Sequence, residues 1–211
     1  MYIELIDLLR CPNEHEDSWL VAAFHEMHGR FVVSGKLGCP VCSASYSIVD
    51  GVADFRAGAQ VATAPGIGRS EEVTGADAET TIRFAAMLGL MRPDALVILE
   101  GESATVAPRL AELTDARVVA LNPRAIPAET ERLASVLASA RLPLAPSSAD
   151  GIVLAENADA IAAAEAHRIL KPGARLVAPA RLPLGPRFRE LARDDDHVVA
   201  ESVGPLVSLS R

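Results

Sequence analysis

The chain of 211 residues is half hydrophobic and carries a formal net charge of −8. That charge disfavours direct binding of nucleic acid, because phosphate binding needs a local excess of Lys and Arg. No apolar run reaches the ~18 residues that a membrane-spanning helix needs, and the N-terminus lacks the basic and cleavable segments of a signal peptide. We therefore expect a cytoplasmic protein of one or two domains, with neither nucleic acid nor a membrane as a partner.

The chain changes character after about residue 56. The cysteines and most of the aromatic residues lie before this point. The stretch that follows is rich in Ala, Gly and Thr and has no strong periodicity, which is typical of a linker. We predict a small β-rich domain at residues 1–56, a linker at 57–76 and an α/β domain at 77–211.

Short β-prone runs dominate the first unit. An apolar helix is predicted at residues 3–9, and strands are predicted at 19–24, 30–35 and 46–52. A polar stretch that ends at Gly29 suits a hairpin turn between the first two strands. Cys11 therefore lies between the opening helix and the hairpins.

Helical and buried-strand patterns alternate in the second unit. Strands without polar alternation, separated by helices, indicate a parallel sheet that is covered on both faces. The predicted order is helix 77–91, strand 95–100, helix 106–113, strand 116–122, helix 130–137 leading into a short strand, strand 150–156, helix 157–170, strand 174–180, and an antiparallel edge pair at 197–202 and 205–210.

Four residues of the first unit have the spacing of a zinc site. Cys39-Pro-Val-Cys42 is the tight two-cysteine turn that binds this metal, and Cys11-Pro begins a similar turn that ends at His15. Structural zinc takes four tetrahedral ligands, and three cysteines with one histidine are a normal set. We therefore predict one structural zinc ion, bound by Cys11, His15, Cys39 and Cys42.

Two other histidines are alternative ligands in the same unit. His25 and His28 lie near the predicted hairpin tip, which a strand of about eight residues would carry ~25 Å from the cysteine turn. Solvent-facing turn residues are the simpler interpretation of both. Without metal, the cluster would be three reduced, buried cysteines beside a surface histidine.

The first unit resembles the small zinc-ribbon family of activator subunits of tRNA and release-factor methyltransferases. That family opens with a leucine-rich turn and Cys-Pro, and it closes with Cys-Pro-x-Cys followed by Tyr-x-Ile-x-x-Gly. The closing pattern is formed here by Cys39, Cys42, Tyr46, Ile48 and Gly51. His15 departs from the family, which usually has Cys one residue earlier. The resemblance covers about the first quarter of the chain and implies a closed site without an open position for substrate.

The second unit resembles class I S-adenosylmethionine-dependent methyltransferases, from about Asp94 to the C-terminus. Those enzymes often carry Leu-Pro-Phe before their fourth strand and Leu-Lys-Pro-Gly before their fifth. These places are filled here by Leu142-Pro143-Leu144 and Leu170-Lys171-Pro172-Gly173. The resemblance implies a Rossmann-like fold with a mostly parallel sheet, helices on both faces and an antiparallel edge strand at the C-terminal end.

The cofactor loop of that family is altered in this chain. The family's acidic residue and three loop glycines correspond to Glu100, Glu102, Ala104 and Val106. Asn122 stands where the family has the acidic residue that binds the ribose, and it can accept a hydrogen bond but is neutral. The resemblance therefore implies that Glu100, Gly101 and Asn122 are vestigial cofactor-binding residues, and that S-adenosylmethionine is possible but disfavoured.

No catalytic residue is predicted, because no Ser-His-Asp order, phosphate loop or His-Glu-x-x-His pattern occurs. The leading hypothesis is a zinc-binding pseudoenzyme that acts through a protein partner, self-association or regulation. One alternative is an active methyltransferase with an atypical cofactor loop. Another is a domain that binds a different small ligand at the strand ends, since a fold does not determine its function.

Overall fold

A computed structural model describes residues 1–56, 75–127 and 131–204. Within these ranges, two 3-10 helices span Ile3–Leu8 and Gly101–Val106. The α-helices are α1 (Gly75–Leu88), α2 (Ala107–Thr114) and α3 (Ala160–Ile169). The strands are β1 (Val21–His28), β2 (Phe31–Gly38), β3 (Ser45–Val49), β4 (Val52–Asp54), β5 (Leu96–Glu100), β6 (Arg117–Leu121), β7 (Leu133–Leu137), β8 (Ala149–Val153), β9 (Leu170–Pro179), β10 (Phe188–Arg193) and β11 (His197–Ser202).

These strands form one mixed sheet in the order β1-β2-β3-β4-β7-β6-β5-β8-β9-β11-β10. The central strands from β4 to β9 run parallel, whereas both ends of the sheet are antiparallel. Numbered from β5, the five strands from β7 to β9 follow the order 3-2-1-4-5 of doubly wound sheets. The order reverses between β5 and β8, and such sheets form their ligand crevice outside the carboxyl ends of the strands at this point.

Both faces of the central strands are covered, as their continuous apolar runs require. Along β5, Val97 and Leu99 face a core that includes α1 and α2, and Leu96 and Ile98 face a second core. The second core includes α3 and the apolar side chains of the first unit. This alternation follows from the two-residue period of a strand.

The first unit is joined to the α/β unit through the sheet itself. β4 pairs in parallel with β7, with Ala53 opposite Val136. The Phe55 amide donates to the Leu137 carbonyl at 2.8 Å, and the Phe55 ring lies 4.7 Å from that of Tyr46. The two predicted units therefore share a sheet and a core, while their boundaries near residues 56 and 77 remain a prediction.

Most elements predicted for the second unit are confirmed, including a central position for β5 between β6 and β8. The helix predicted at 130–137 is wrong, because residues 133–137 form the buried strand β7. Leu133, Val136 and Leu137 have helical spacing, but short apolar runs also suit a buried strand, and periodicity alone does not separate the two. The hydrogen bonds of residues 133–137 with β4 and β6 stabilise the strand over a helix.

One strand prediction in the first unit also needs correction. The strand predicted at 46–52 is two strands, because Asp50 and Gly51 take positive φ angles of 49° and 77° and form a tight turn between β3 and β4. At the other end of the sheet, β11 pairs with β9 and with β10. The strand predicted at 205–210 lies outside the described residues. None of the described helices is long and apolar enough to cross a membrane.

Candidate functional site

The four predicted metal ligands converge in the first unit. Cys11 follows the first 3-10 helix, His15 lies in the loop before β1, Cys39 directly follows β2, and Cys42 lies in the turn between β2 and β3. The three sulfur atoms and an imidazole nitrogen all lie within 4.8 Å of one another. This cluster, called the Cys/His cluster below, can hold a metal ion.

The spacing inside the cluster fits a tetrahedral zinc ion. Bonds of ~2.3 Å to sulfur and ~2.0 Å to nitrogen at tetrahedral angles imply ~3.8 Å between two sulfurs and ~3.5 Å between sulfur and nitrogen. The Cys11 and Cys42 sulfurs are 3.7 Å apart, and Cys39 Sγ lies 3.4 Å from His15 Nε2. A disulfide needs sulfurs ~2.05 Å apart, so these are free thiols at metal-ligand spacing.

Local backbone geometry presents the ligand atoms. The Cys39 amide donates to the Ala44 carbonyl at 2.8 Å and the Ser43 amide to the Cys39 carbonyl at 3.0 Å, with Ser43 at a positive φ of 59°. These bonds close the turn that brings the two sulfurs together. His15 Nδ1 lies 2.6 Å from the Glu16 carbonyl. A proton on Nδ1 would satisfy this contact and leave Nε2 free for a metal.

Cys11 and Cys42 differ in their electrostatic surroundings. The Ala44 amide lowers the pKa of Cys42 to about 6, and Asn13 Nδ2 donates to the same sulfur at 3.3 Å. Burial raises the pKa of Cys11, whose sulfur lies 3.2 Å from the Tyr46 hydroxyl. Because a metal takes the thiolate, Cys42 is more readily ionised for binding than Cys11.

The alternative ligands lie elsewhere. His25 and His28 are exposed on β1, and His28 Nε2 lies 3.3 Å from Glu26 in the same strand. Among the described residues, neither joins the Cys/His cluster. Tyr46 and Asn13 contact the cysteines but were missed in the sequence as site residues, because neither is a metal-ligand type.

The predicted cofactor loop directly follows β5. It forms the 3-10 helix Gly101–Val106, which continues directly into α2. Ala104 and Val106 are each 1% exposed and pack into the core beside α1 and α2. Of the described loop residues only Gly101 takes a positive φ, at 63°. Val106 has a φ of −89°, so this residue at a loop glycine position is not forced into the left-handed region.

The polar residues at this edge contact other parts of the chain. Glu102 forms an ion pair with Arg124, which joins the segment after β5 to the segment after β6. Asn122 takes a positive φ of 46°, and its Oδ1 accepts a hydrogen bond from the Ala138 amide at 2.8 Å. The acceptor expected to face a ribose is thus used to connect the carboxyl ends of β6 and β7.

Glu100 lies at the point where the strand order reverses. Its Oε2 accepts a hydrogen bond from the Ala155 amide at 3.1 Å, and burial raises the pKa of its carboxyl group. The crevice beside it has a volume of about 200 Å³ and is also lined by Leu154, Asp159 and Glu165. Pockets for small molecules commonly measure ~300–1,000 Å³, so this crevice is small for one.

Sequence reasoning missed three residues that contact the polar groups at the carboxyl ends of these strands: Arg124, Ala138 and Ala155. Arg124 follows Asn122 by two residues, which was an available signal for a charge beside Glu102. Ala138 and Ala155 contribute only backbone amides. Their roles depend on strand pairing and have no signature in the amino-acid type.

Comparison with known proteins concerns the fold. No family model and no curated protein matches this chain. Geranyl diphosphate C-methyltransferase from Streptomyces coelicolor A3(2), solved with S-adenosyl-L-homocysteine, is 14% identical with a TM-score of 0.41, over 54% of this chain and 53% of that chain. Phosphoethanolamine N-methyltransferase 2 from Haemonchus contortus, solved with S-adenosyl-L-methionine, is 13% identical with a TM-score of 0.41, over 55% of this chain and 30% of that chain. The matches span about half of the first enzyme and less than a third of the second.

Proposed function

We propose that this chain is a zinc-binding, methyltransferase-like protein that does not bind S-adenosylmethionine in the usual way and works through protein contacts. One observation carries the proposal. The polar groups at the carboxyl ends of β5 and β6, where a doubly wound sheet binds its nucleotide-like ligand, contact other groups of the same chain.

Two contacts support the loss of ordinary cofactor binding. The Glu102–Arg124 ion pair connects the two segments between which a cofactor would lie. Asn122 gives its side-chain oxygen to the Ala138 amide. A cofactor placed between these segments would displace the ion pair. One that took the Asn122 oxygen would leave the buried Ala138 amide without an acceptor, which costs about 1–3 kcal/mol. The small crevice beside Glu100 acts in the same direction.

The metal has a structural role in this proposal. Four protein ligands complete a tetrahedral zinc site, so no position remains for a substrate or an activated water. Zinc at the Cys/His cluster would fix the turn before β3, and through β3 and β4 the strand that pairs with β7. The metal would thereby stabilise the edge of the parallel sheet.

The protein-contact part of the proposal concerns the edge strand β1. Trp19, two residues before β1, is 69% exposed, and Val21 and Phe24 within β1 are 65% and 37% exposed. Exposed apolar residues on an unpaired edge favour contact with another protein. We propose self-association through this edge, tested by sedimentation across a range of concentrations. The proposal is supported if the wild type associates, Val21→Lys weakens this association and Met91→Lys leaves it unchanged. A monomer at every concentration would contradict it.

Titration calorimetry with S-adenosylmethionine tests the central proposal. We expect the wild-type chain to show no saturable heat at micromolar cofactor, because two lost interactions of ~1.4 kcal/mol each weaken a site about a hundredfold. The Glu102→Gly variant is the matched control, since it removes the ion pair and restores a glycine at the family's first loop position. A saturable micromolar isotherm for the wild type, or S-adenosylhomocysteine retained through purification, would make the active methyltransferase the better hypothesis.

A further inference from the structure

A pocket of about 470 Å³ lined by charged side chains lies at the amino ends of the parallel strands. The crevice beside Glu100 lies at their carboxyl ends. The walls of the pocket come from both units of the chain. The first unit contributes Tyr2 and Arg30, and the α/β unit contributes Arg117 and Arg132, at or directly before the amino ends of β6 and β7. A pocket of this volume is in the range of small-molecule sites.

Two of the three arginines in this pocket have carboxylate partners. Arg30 pairs with Glu4, and Arg132 Nη1 lies 2.6 Å from Asp94 Oδ1. Arg117 differs from both, because its Nε and Nη2 donate only to the Asp94 backbone carbonyl, each at 3.3 Å. Among the described residues, no carboxylate thus forms an ion pair with its guanidinium, although the charge of Arg117 contributes to the lowered pKa of Glu4.

The Tyr2 side chain supplies a second group without a partner. Tyr2 is 1% exposed, and its hydroxyl has no hydrogen-bond partner among the described residues. Burial raises the pKa of this phenol, so the hydroxyl stays protonated and remains a donor. A buried donor without an acceptor is costly and rare, and an unobserved ligand is one of its ordinary explanations.

We propose that this pocket binds an anionic oxygen group, a phosphate or a carboxylate, through Arg117 and Tyr2. A guanidinium presents donors in a planar fork that matches either group, and such charge-assisted bonds are the stronger class of hydrogen bond. Glu131 also lines the pocket and is exposed. Its negative charge opposes an anion, so it limits the affinity of the site. This inference is independent of the function proposed above.

The test uses the full chain, with inorganic phosphate in one arm and succinate in the other, at constant ionic strength. Binding is followed by calorimetry and by the rise in melting temperature that a ligand of the native state produces. We expect saturable binding to the wild type in at least one arm. Saturation by phosphate alone identifies the phosphate class, and saturation by succinate alone identifies the carboxylate class.

Four variants decide whether the binding occurs in this pocket. Arg117→Gln and Tyr2→Phe should each weaken it about tenfold or more, the expected loss for a charge-assisted hydrogen bond. Glu131→Gln should strengthen it, and Arg109→Gln, on the exposed side of α2, should leave it unchanged. Tyr2→Phe removes an unsatisfied hydroxyl, so the variant should fold at least as stably as the wild type. No saturation by the wild type, or equal affinities for Arg117→Gln and Arg109→Gln, would overturn the proposal.

Discussion

The Cys/His cluster and the crevice beside Glu100 differ in what their polar atoms contact. In the cluster, His15 Nε2 lies 3.4 Å from Cys39 Sγ, so that ligand atoms of different segments face one another. By contrast, Glu100 in the crevice and Asn122 directly after β6 each accept a hydrogen bond from a backbone amide of the same chain. The comparison teaches that a site is recognised by polar atoms that converge on a shared space, and that the right residue types at the right positions do not suffice.

The largest effect is expected from removing one ligand of the Cys/His cluster. Cys39→Ser should reduce zinc from one ion per chain to none. It should also lower the free energy of unfolding by about 5 kcal/mol or more, because binding energy at a structural metal site is folding energy. Metal analysis and urea unfolding measure the two effects.

Val41→Ser is the matched control, because Val41 lies in the same turn but is exposed and is not a ligand. We expect this variant to keep its zinc and its stability within about 0.5 kcal/mol. If Cys39→Ser retained one zinc ion per chain, the metal would bind at another site. The Cys/His cluster would then have suitable residue types without binding a ligand.

The second prediction concerns the junction between the two regions. Phe55 is 3% exposed and packs on Tyr46, whose hydroxyl contacts Cys11. Phe55→Ala should therefore lower the free energy of unfolding by about 3–4 kcal/mol, the usual cost of such a truncation in a core. Chelation of the metal should also lower the melting temperature of the whole chain, because β4 and β7 share one sheet. Two separate thermal transitions in calorimetry would show instead that the units unfold independently.

Sequence reasoning predicted more of the cluster than of the crevice, for a physical reason. A zinc site needs a few side-chain types at short spacings, and the Cys39–Cys42 turn makes half of it locally. The contacts at the carboxyl ends of β5 and β6 act over a longer range, such as Glu102 with Arg124, and they include backbone donors that strand pairing supplies. The missed strand β7 has the same origin, because its neighbours in the sheet select the strand over a helix.

The third prediction tests whether Asn122 stabilises the fold. Asn122→Ala removes the acceptor of the Ala138 amide at a position with positive φ, which Asn tolerates better than Ala. We expect a loss of about 1–3 kcal/mol in urea unfolding. Asn122→Asp is the control, because its carboxylate keeps the acceptor and also introduces the acidic residue found in the methyltransferases that the second unit resembles in sequence. Micromolar binding of S-adenosylmethionine to Asn122→Asp, but not to the wild type, would show that this single residue prevents binding. It would contradict the proposal that several contacts prevent binding together.

The smallest effect on stability is expected from a substitution of Glu100 in the crevice. Burial raises the pKa of its carboxyl group, although the Ala155 amide partly offsets this. A folded-state pKa above the unfolded one contributes stability that is present below the unfolded pKa and is lost as the pH rises through the folded pKa. Glu100→Gln should therefore be as stable as the wild type or up to about 1 kcal/mol more stable at neutral pH.

The advantage of Glu100→Gln should shrink as the pH falls toward about 4, the ordinary range of a glutamate. Urea unfolding of both proteins between about pH 4 and pH 7 measures this trend, and Glu156→Gln, at an exposed neighbouring position, is the control. If Glu100→Gln were instead less stable, with a deficit that grew as the pH rose, the ionised carboxylate would be favoured in the native state by a positive group. Glu100 would then resemble the atoms of the Cys/His cluster, which are arranged to receive a cation. The expected result is a carboxylate that costs stability when it ionises, because burial at the end of β5 disfavours its charged form.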